Sequence, residues 1–271
     1  MADWGLSNRL ARMMSPHSGN TVMLAVDHGY FMGPTRRLEN ARATIAPLLP
    51  HADALALTRG ILRSSVPSGS TVPIVLRVSG GATILKEDLS DEAITVSMRD
   101  AVRLNASAVA MSIFVGAPHE HDSLVNLSKL VNDGEEVGVP VMAITAVGKE
   151  LEKRDQRYLA LACRVAVEHG AHLVKTYYCD GFEKVVEACP VPIVVAGGPK
   201  LDSDRAVLEL AHAAIKQGAH GIDMGRNVWQ SDHPVAMLKG LRAVVHDKAT
   251  AAEALDLLNG EKARAPTLAP A

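Results

Sequence analysis

Short runs of Val, Ile, Leu, Ala and Met recur along the chain. Longer stretches between them place their apolar residues three and four positions apart. The short runs predict strands at 21–28, 52–59, 72–79, 106–114, 140–147, 172–178, 192–196 and 221–224. The longer stretches predict helices at 39–49, 91–105, 121–137, 149–169, 182–189 and 202–217, with one more at 233–246 after the last strand. Between the second and third strands only 60–70 is left, room for an abbreviated helix. Boundary residues support several of these elements. Ser90-Asp91-Glu92 and Asp202-Ser203-Asp204 supply caps and acidic first turns, and Gly170 and Gly218 stand where helices should stop.

Eight strand–helix alternations with no break in composition predict a single α/β domain, a (β/α)8 TIM barrel. A doubly wound sheet is the alternative. The expected domain spans 1–271, with a short N-terminal lead at 1–20 and a loose C-terminal tail from about 261 to 271.

In a barrel strand every second side chain faces the interior. Val22, Leu24 and Val26 share the face suited to helices, so Met23, Ala25 and Asp27 face inward. The same alternation turns Arg77 inward on the third strand, and Lys175 with Leu173 and Tyr177 on the sixth. An acid, an arginine and a lysine thus meet at the C-terminal mouth, where barrel enzymes build their active sites.

Lys175 carries the most chemistry. Inside a strand an ammonium must be desolvated or find a partner. Burial lowers its pKa and makes the amine a nucleophile able to condense with a ketone. The bland alternative is a lysine at a strand end whose amine reaches water. Asp27 is placed to move a proton near a substrate carbonyl, or to pair with Arg59 or Arg77. His28 is kept as a substrate contact. Gly197 and Gly198 follow the seventh strand, and Gly225 and Arg226 follow the eighth. Glycines there let backbone N–H groups approach an anion, and Arg226 adds a charge, so a phosphate site is expected.

Composition narrows the classes. The chain is 48% hydrophobic and 21% charged, and 28 basic against 30 acidic residues give a net charge of −2. That balance offers no footprint for nucleic acid, and no basic run or apolar stretch suggests a membrane. Cys163, Cys179 and Cys189 form no metal-ligand spacing, so the reducing cytoplasm is expected. Nor does the N-terminus carry the apolar core of a signal peptide. Cys179, which shares parity with Lys175, reads as a small hydrophobe rather than an acyl carrier. His119-Glu120-His121-Asp122 reads as a solvated turn, and no metal is expected.

Several segments carry a resemblance. Val26-Asp27-His28-Gly29-Tyr30, Thr58-Arg59-Gly60-Ile61-Leu62-Arg63 and Val174-Lys175-Thr176-Tyr177-Tyr178 are similar to the DhnA-type class I aldolase superfamily. So are Val195-Ala196-Gly197-Gly198 and Asp223-Met224-Gly225-Arg226-Asn227, and the likeness runs from about 4 to 247. Arg154-Asp155-Gln156-Arg157-Tyr158 and Ser231-Asp232-His233-Pro234-Val235-Ala236-Met237 fit its thiolytic branch, which serves autoinducer-2 degradation.

The resemblance implies Lys175 as the essential lysine and Asp27 as its acidic partner. It implies phosphate at Gly197, Gly198, Gly225 and Arg226, with Arg59 as a further substrate contact. It implies a ring-shaped homo-oligomer, a decamer among the sizes it allows. The aldolase members carry a tyrosine on the fifth strand, and Thr145 is expected near that place here.

The implied reaction moves the acetyl group of 3-hydroxy-5-phosphonooxypentane-2,4-dione to coenzyme A, giving acetyl-CoA and dihydroxyacetone phosphate. Coenzyme A is then a co-substrate, with no permanently bound cofactor. The alternatives are a Schiff-base aldolase acting on a phosphorylated ketose, and a phosphosugar-binding protein without turnover.

Overall fold

The structure, a computed structural model, describes residues 3–147 and 154–264. Eight parallel strands close into a barrel: Thr21–Ala25, Ala54–Thr58, Ile74–Arg77, Ala108–Ile113, Val141–Thr145, Leu173–Tyr177, Ile193–Ala196 and Gly221–Met224. They stand in sequence order, and the first strand pairs with the eighth through Thr21↔Gly221 and Met23↔Asp223. Every expected strand is present, so the barrel replaces the doubly wound alternative.

Alternation along the strands sorts the core into two layers. Met23, Ala54, Ala56, Val75, Ala108, Ala110, Met142, Leu173 and Val194 fill the barrel interior. Val22, Leu24, Leu55, Leu76, Val109, Val174 and Ile222 belong to the larger layer between strands and helices. The interior is built mainly from Ala, Val and Met, which fit the crowded barrel axis.

Most helices lie where periodicity puts them: Glu120–Glu136, Gln156–Glu168, Phe182–Ala188, Asp204–Lys216 and Pro234–Asp247. The abbreviated helix is Arg59–Ser65, capped by the Thr58 hydroxyl accepting from the Ile61 N–H. Ser203 caps Asp204–Lys216 by accepting from Ala206 N–H. Gly170 and Gly218 take φ of +91° and +102°, the left-handed conformation that ends each helix just before a strand. The start of the helix expected at 149–169 falls partly on residues outside those described.

Three expectations need correction. The helix expected at 91–105 is only Met98–Arg103, capped by Ser97 rather than by Ser90-Asp91-Glu92. The residues before it fold back, so that Ala93–Ile94 pairs antiparallel with Ser79–Gly80. This excursion above the third strand brings Glu92 into the mouth.

The N-terminal lead holds the helix Trp4–Met13, whose Met13 is fully buried in the interior cluster, with Leu10 and Met14 packed against it. It covers the lower end of the barrel. The expected tail is also shorter. Helix Ala251–Arg264 packs on Asp204–Lys216 and Pro234–Asp247, burying Ala254 and Leu258. Residues 265–271 of that tail lie outside the described residues. Among the described residues no helix is long and apolar enough to cross a membrane.

Candidate active site

Lys175 lies on the sixth strand with Leu173, on the interior face. Its side chain is 11% exposed, which excludes the reading of an amine reaching bulk water. The Nζ sits 2.7 Å from Asp223 Oδ2, a carboxylate that is fully buried on the eighth strand. Burial alone would lower the lysine's pKa, but the charges of Asp223 and Asp27 outweigh it and hold the pKa above its ordinary value. The expectation of a spontaneously neutral amine is therefore overturned: the resting group is an ammonium. Burial raises the Asp223 carboxyl, and Lys175 offsets only part of that.

Asp27 follows the first strand, which ends at Ala25, and is buried. Burial opposes its charge, yet Lys175, His28 and Arg77 together keep its carboxyl below the usual carboxylate range. Its Oδ2 is 3.6 Å from the Arg77 guanidinium, while Arg59 plays no part in this pairing.

Arg77 is the hub of a buried network. It donates to Glu92 Oε2 at 2.9 Å, to Tyr30 Oη at 2.5 Å, to Ser112 Oγ at 2.6 Å and to the Ser79 carbonyl at 3.1 Å. The Tyr30 hydroxyl in turn donates to Glu92 at 2.8 Å, and the Tyr30 ring lies 4.2 Å from the guanidinium carbon. Burial pushes the Tyr30 hydroxyl far up, so it stays protonated. With its charge answered by Glu92, Arg77 orients Asp27 and Tyr30 rather than waiting for an anion.

Because the strand has ended, His28 does not follow strand alternation. It opens the short helix Gly29–Met32 and packs edge-on against Trp229 at 5.4 Å. Burial and then the surrounding cations push its pKa down to about 4, against the pull of Asp27, so the ring is neutral at pH 7.

The glycines after the seventh and eighth strands join Lys175, Asp27 and His28 around one cavity. Gly198 has φ of +66°. A Cβ on Gly225 would lie 2.5 Å from the Ala25 carbonyl oxygen and 2.5 Å from His28 Cε1, so no larger residue fits there unaltered. Arg226 also lines the cavity. Burial lowers its pKa, and the nearby Arg154 lowers it further.

Arg154 stacks on Tyr177 at 3.9 Å, and a Cβ on Gly198 would lie 3.4 Å from its Nη1. The Nε atoms of both arginines are buried without a hydrogen-bond partner. Among the described residues neither has an acidic partner. Two guanidinium groups without acids, beside a glycine turn, form a cradle for an anion with more than one charge.

Two expected residues stand elsewhere. Arg59 does not reach the cavity. It begins the helix Arg59–Ser65, points outward and pairs with Asp100 at 3.4 Å, its side chain 39% exposed. Thr145 lies in the wall, but its hydroxyl faces the neighbouring strand and donates to Thr176 Oγ1 at 2.8 Å. From this part of the chain Ile144, Thr145 and Ala146, which follows the strand, line the cavity. Cys179 is half-buried and takes no part in the cavity lining.

Three site residues went unread in the sequence. Asp223 was legible by the alternation that exposed Lys175, since residues 221 and 223 share the interior face. Glu92 was not, because it arrives on the antiparallel excursion. Arg154 falls inside the helix expected at 149–169, where nothing marks it for the site, whereas the helix begins at Gln156.

Known proteins similar to this chain cover most of its length. The family model for DeoC/LacD family aldolases matches residues 21–231. The 3-hydroxy-5-phosphonooxypentane-2,4-dione thiolase of Escherichia coli K12 is 56% identical over 261 residues, covering 96% of this chain and 89% of the relative. The protein of that name from Photorhabdus laumondii is 54% identical over the same coverage.

Among solved structures, an archaeal fructose 1,6-bisphosphate aldolase superposes with a TM-score of 0.80 at 28% identity, covering 89% of this chain and 99% of that one. A second archaeal aldolase structure, with its catalytic Lys covalently bound to the carbinolamine intermediate of the substrate, superposes with a TM-score of 0.80 at 27% identity, over 89% and 99%. With the family model matched over residues 21–231 and 56% identity over 96% of its length, the chain belongs to the DeoC/LacD aldolase family, beside its thiolases.

Proposed function

We propose that this protein is a thiolase that moves the acetyl group of 3-hydroxy-5-phosphonooxypentane-2,4-dione to coenzyme A. The observation that carries the proposal is the line of groups across the mouth. An anion cradle at Gly198, Arg154 and Arg226 stands beside Lys175, which is held between Asp223 and Asp27. A phosphate in the cradle sets the adjacent ketone carbon, C4, against the Lys175 nitrogen.

Attack by the thiol sulfur then forms a bond to C2, the acetyl carbonyl. The C2–C3 bond breaks and its electron pair passes to C3, delocalised toward C4 and its oxygen or nitrogen. The thiol proton ends on C3. The products are acetyl-CoA and dihydroxyacetone phosphate, and no oxidant or reductant is consumed.

Lys175 serves this step in either of two forms. As an ammonium it stabilises the developing oxyanion at C4. As an iminium, formed after Asp223 accepts its proton and water leaves C4, it withdraws the pair more strongly. Asp27, charged and next to the reacting carbons, moves the proton from sulfur to C3.

The aldolase reading rests on the superposition with Schiff-base aldolases. Retro-aldol cleavage needs a base at the hydroxyl, and from the fifth strand and its end Ile144, Thr145 and Ala146 line the cavity, none of them an acid, a histidine or a tyrosine, with the Thr145 hydroxyl given to Thr176. Thiolysis asks for no such base.

Incubating the protein with the diketone, with and without coenzyme A, tests the choice by mass spectrometry. Acetyl-CoA and dihydroxyacetone phosphate formed only in the presence of coenzyme A supports the thiolase. Cleavage of phosphorylated ketoses without coenzyme A, with no acetyl transfer, would make it an aldolase.

A further inference from the structure

A second cavity adjoins the first over the ends of the fourth and fifth strands. Leu89, Phe114 and Ala146 line both, and Val115, Ala117 and Val147 continue the second outward. We propose that this second cavity receives the thiol-bearing arm of coenzyme A and delivers its sulfur to the acetyl end of the substrate. The proposal rests on the thiolase reading and extends it to the site of the second substrate.

Position is the first argument. Around the barrel the order runs eighth, seventh, sixth, fifth, fourth strand. The anion cradle lies at the eighth and seventh, and Lys175 on the sixth. A five-carbon chain anchored by its phosphate and held at C4 by Lys175 therefore extends its acetyl end toward the fifth and fourth. That is where the two cavities meet, and the side chain at the junction just past the fifth strand, Ala146, is a single methyl group.

Chemistry is the second. Leu89, Phe114, Val115, Ala117, Ala146 and Val147 give this cavity an apolar wall, with Glu87, Asp88 and Ser90 at its other side, and the Tyr158 hydroxyl donates to the Val115 carbonyl at 2.9 Å. Such a wall suits a narrow, uncharged chain of methylenes and amides, which binds by burial and by displacing loosely held water. It does not suit the phosphorylated end of the substrate, because Glu87 and Asp88, which also line this cavity, repel it. The two substrates are thus separated by charge: the anion goes to the arginines and the neutral arm to the apolar side.

Ala117 is half-buried on the outer part of this cavity, away from the reacting groups. The test is calorimetric titration of coenzyme A into wild type and Ala117→Trp, each saturated with dihydroxyacetone phosphate. An indole at 117 should weaken coenzyme A at least tenfold and leave the affinity for dihydroxyacetone phosphate unchanged, the latter also showing that the variant is folded. If Ala117→Trp does not fold, Pro118→Trp blocks the same opening from an exposed position.

Equal coenzyme A affinity in wild type and variant would overturn the assignment, and so would absence of coenzyme A binding to wild type. The thiolase reading is scored separately by acetyl-CoA formation in wild type. Acetyl transfer with an unaffected variant removes this site and keeps the reaction. A variant that loses coenzyme A, in a protein that transfers no acetyl group, keeps the site and removes the reaction.

Discussion

Lys175 Nζ and Asp223 Oδ2 lie 2.7 Å apart at the inner end of the mouth, and both side chains are shielded from water. Asp223 is what keeps a buried lysine charged, since burial by itself favours the neutral amine. Asp223→Asn removes that charge and keeps the shape. The Lys175 pKa should fall, and the limb of the kcat/KM pH profile that it governs, alkaline if the ammonium works and acid if the neutral amine attacks, should move to lower pH. Breaking a buried pair on one side costs about 3–5 kcal/mol, which urea denaturation at pH 7 would detect. An unchanged profile on both limbs would show that Asp223 does not set the state of the lysine.

Lys175→Ala should lower turnover by on the order of a thousandfold or more, if the lysine acts on the reacting carbons. Lys175→Arg should fail similarly, because a guanidinium cannot give up its proton and is too large for the same seat. Borohydride added with dihydroxyacetone phosphate separates the two forms of catalysis. A mass increment on Lys175 demonstrates an iminium, and its absence during active turnover leaves the ammonium.

Arg226→Met should weaken dihydroxyacetone phosphate by about 2 kcal/mol, on the order of thirtyfold, through loss of a charge in the cradle. Binding of unphosphorylated dihydroxyacetone should hardly change. Equal losses for both ligands would place the phosphate elsewhere.

Gly225→Ala tests the close approach behind the cradle. The added Cβ would fall 2.5 Å from the Ala25 carbonyl oxygen and from the His28 ring, and one of these must shift. Overpacking of this kind costs about 1–3 kcal/mol and should displace His28, raising KM along with the loss of thermal stability. A variant with wild-type Tm and KM would show that the turn has room to spare.

Stability has a separate acid-sensitive element at the lower end of the barrel. Asp53 accepts from Arg242 at 2.7 Å and from the Val22 N–H at 2.7 Å, and its Oδ2 is 2.8 Å from His246 Nε2. Burial opposes the charge on Asp53, but these bonds prevail and lower its pKa. A depressed carboxyl stabilises the fold above its unfolded pKa of about 3.9, and the benefit disappears as pH falls through the lower folded value. Asp53→Asn should therefore lower the Tm at pH 7, and the gap to wild type should narrow below about pH 4. A gap that stays constant across that range would mean the charge on Asp53 contributes nothing.

Strand alternation carried most of what could be read from the sequence. It placed Asp27, Arg77 and Lys175 in the interior, and the same rule applied to 221–224 would have given Asp223. Helix Ala251–Arg264 was also legible, since Ala251, Ala254, Leu255 and Leu258 fall on one face. The failures have local causes. Arg59 was taken with the strand before it, but Thr58 turns the chain into a helix and sends the arginine outward. Glu92 depends on an antiparallel pairing whose two short partners carry no periodic signal. The protonation of Lys175 depends on a partner 48 positions later in the chain (175 to 223), and only the closed barrel brings the two together.

The helix Trp4–Met13 gives the barrel a floor, with Met13 buried against the interior side chains beneath the site. Water and protons then have one door, the mouth, and the substrates use that same door. A thiol trades its S–H hydrogen with the solvent before it enters, so in heavy water the hydrogen delivered to C3 arrives as deuterium through that same mouth, and the dihydroxyacetone phosphate released should carry one deuterium on the carbon that was C3.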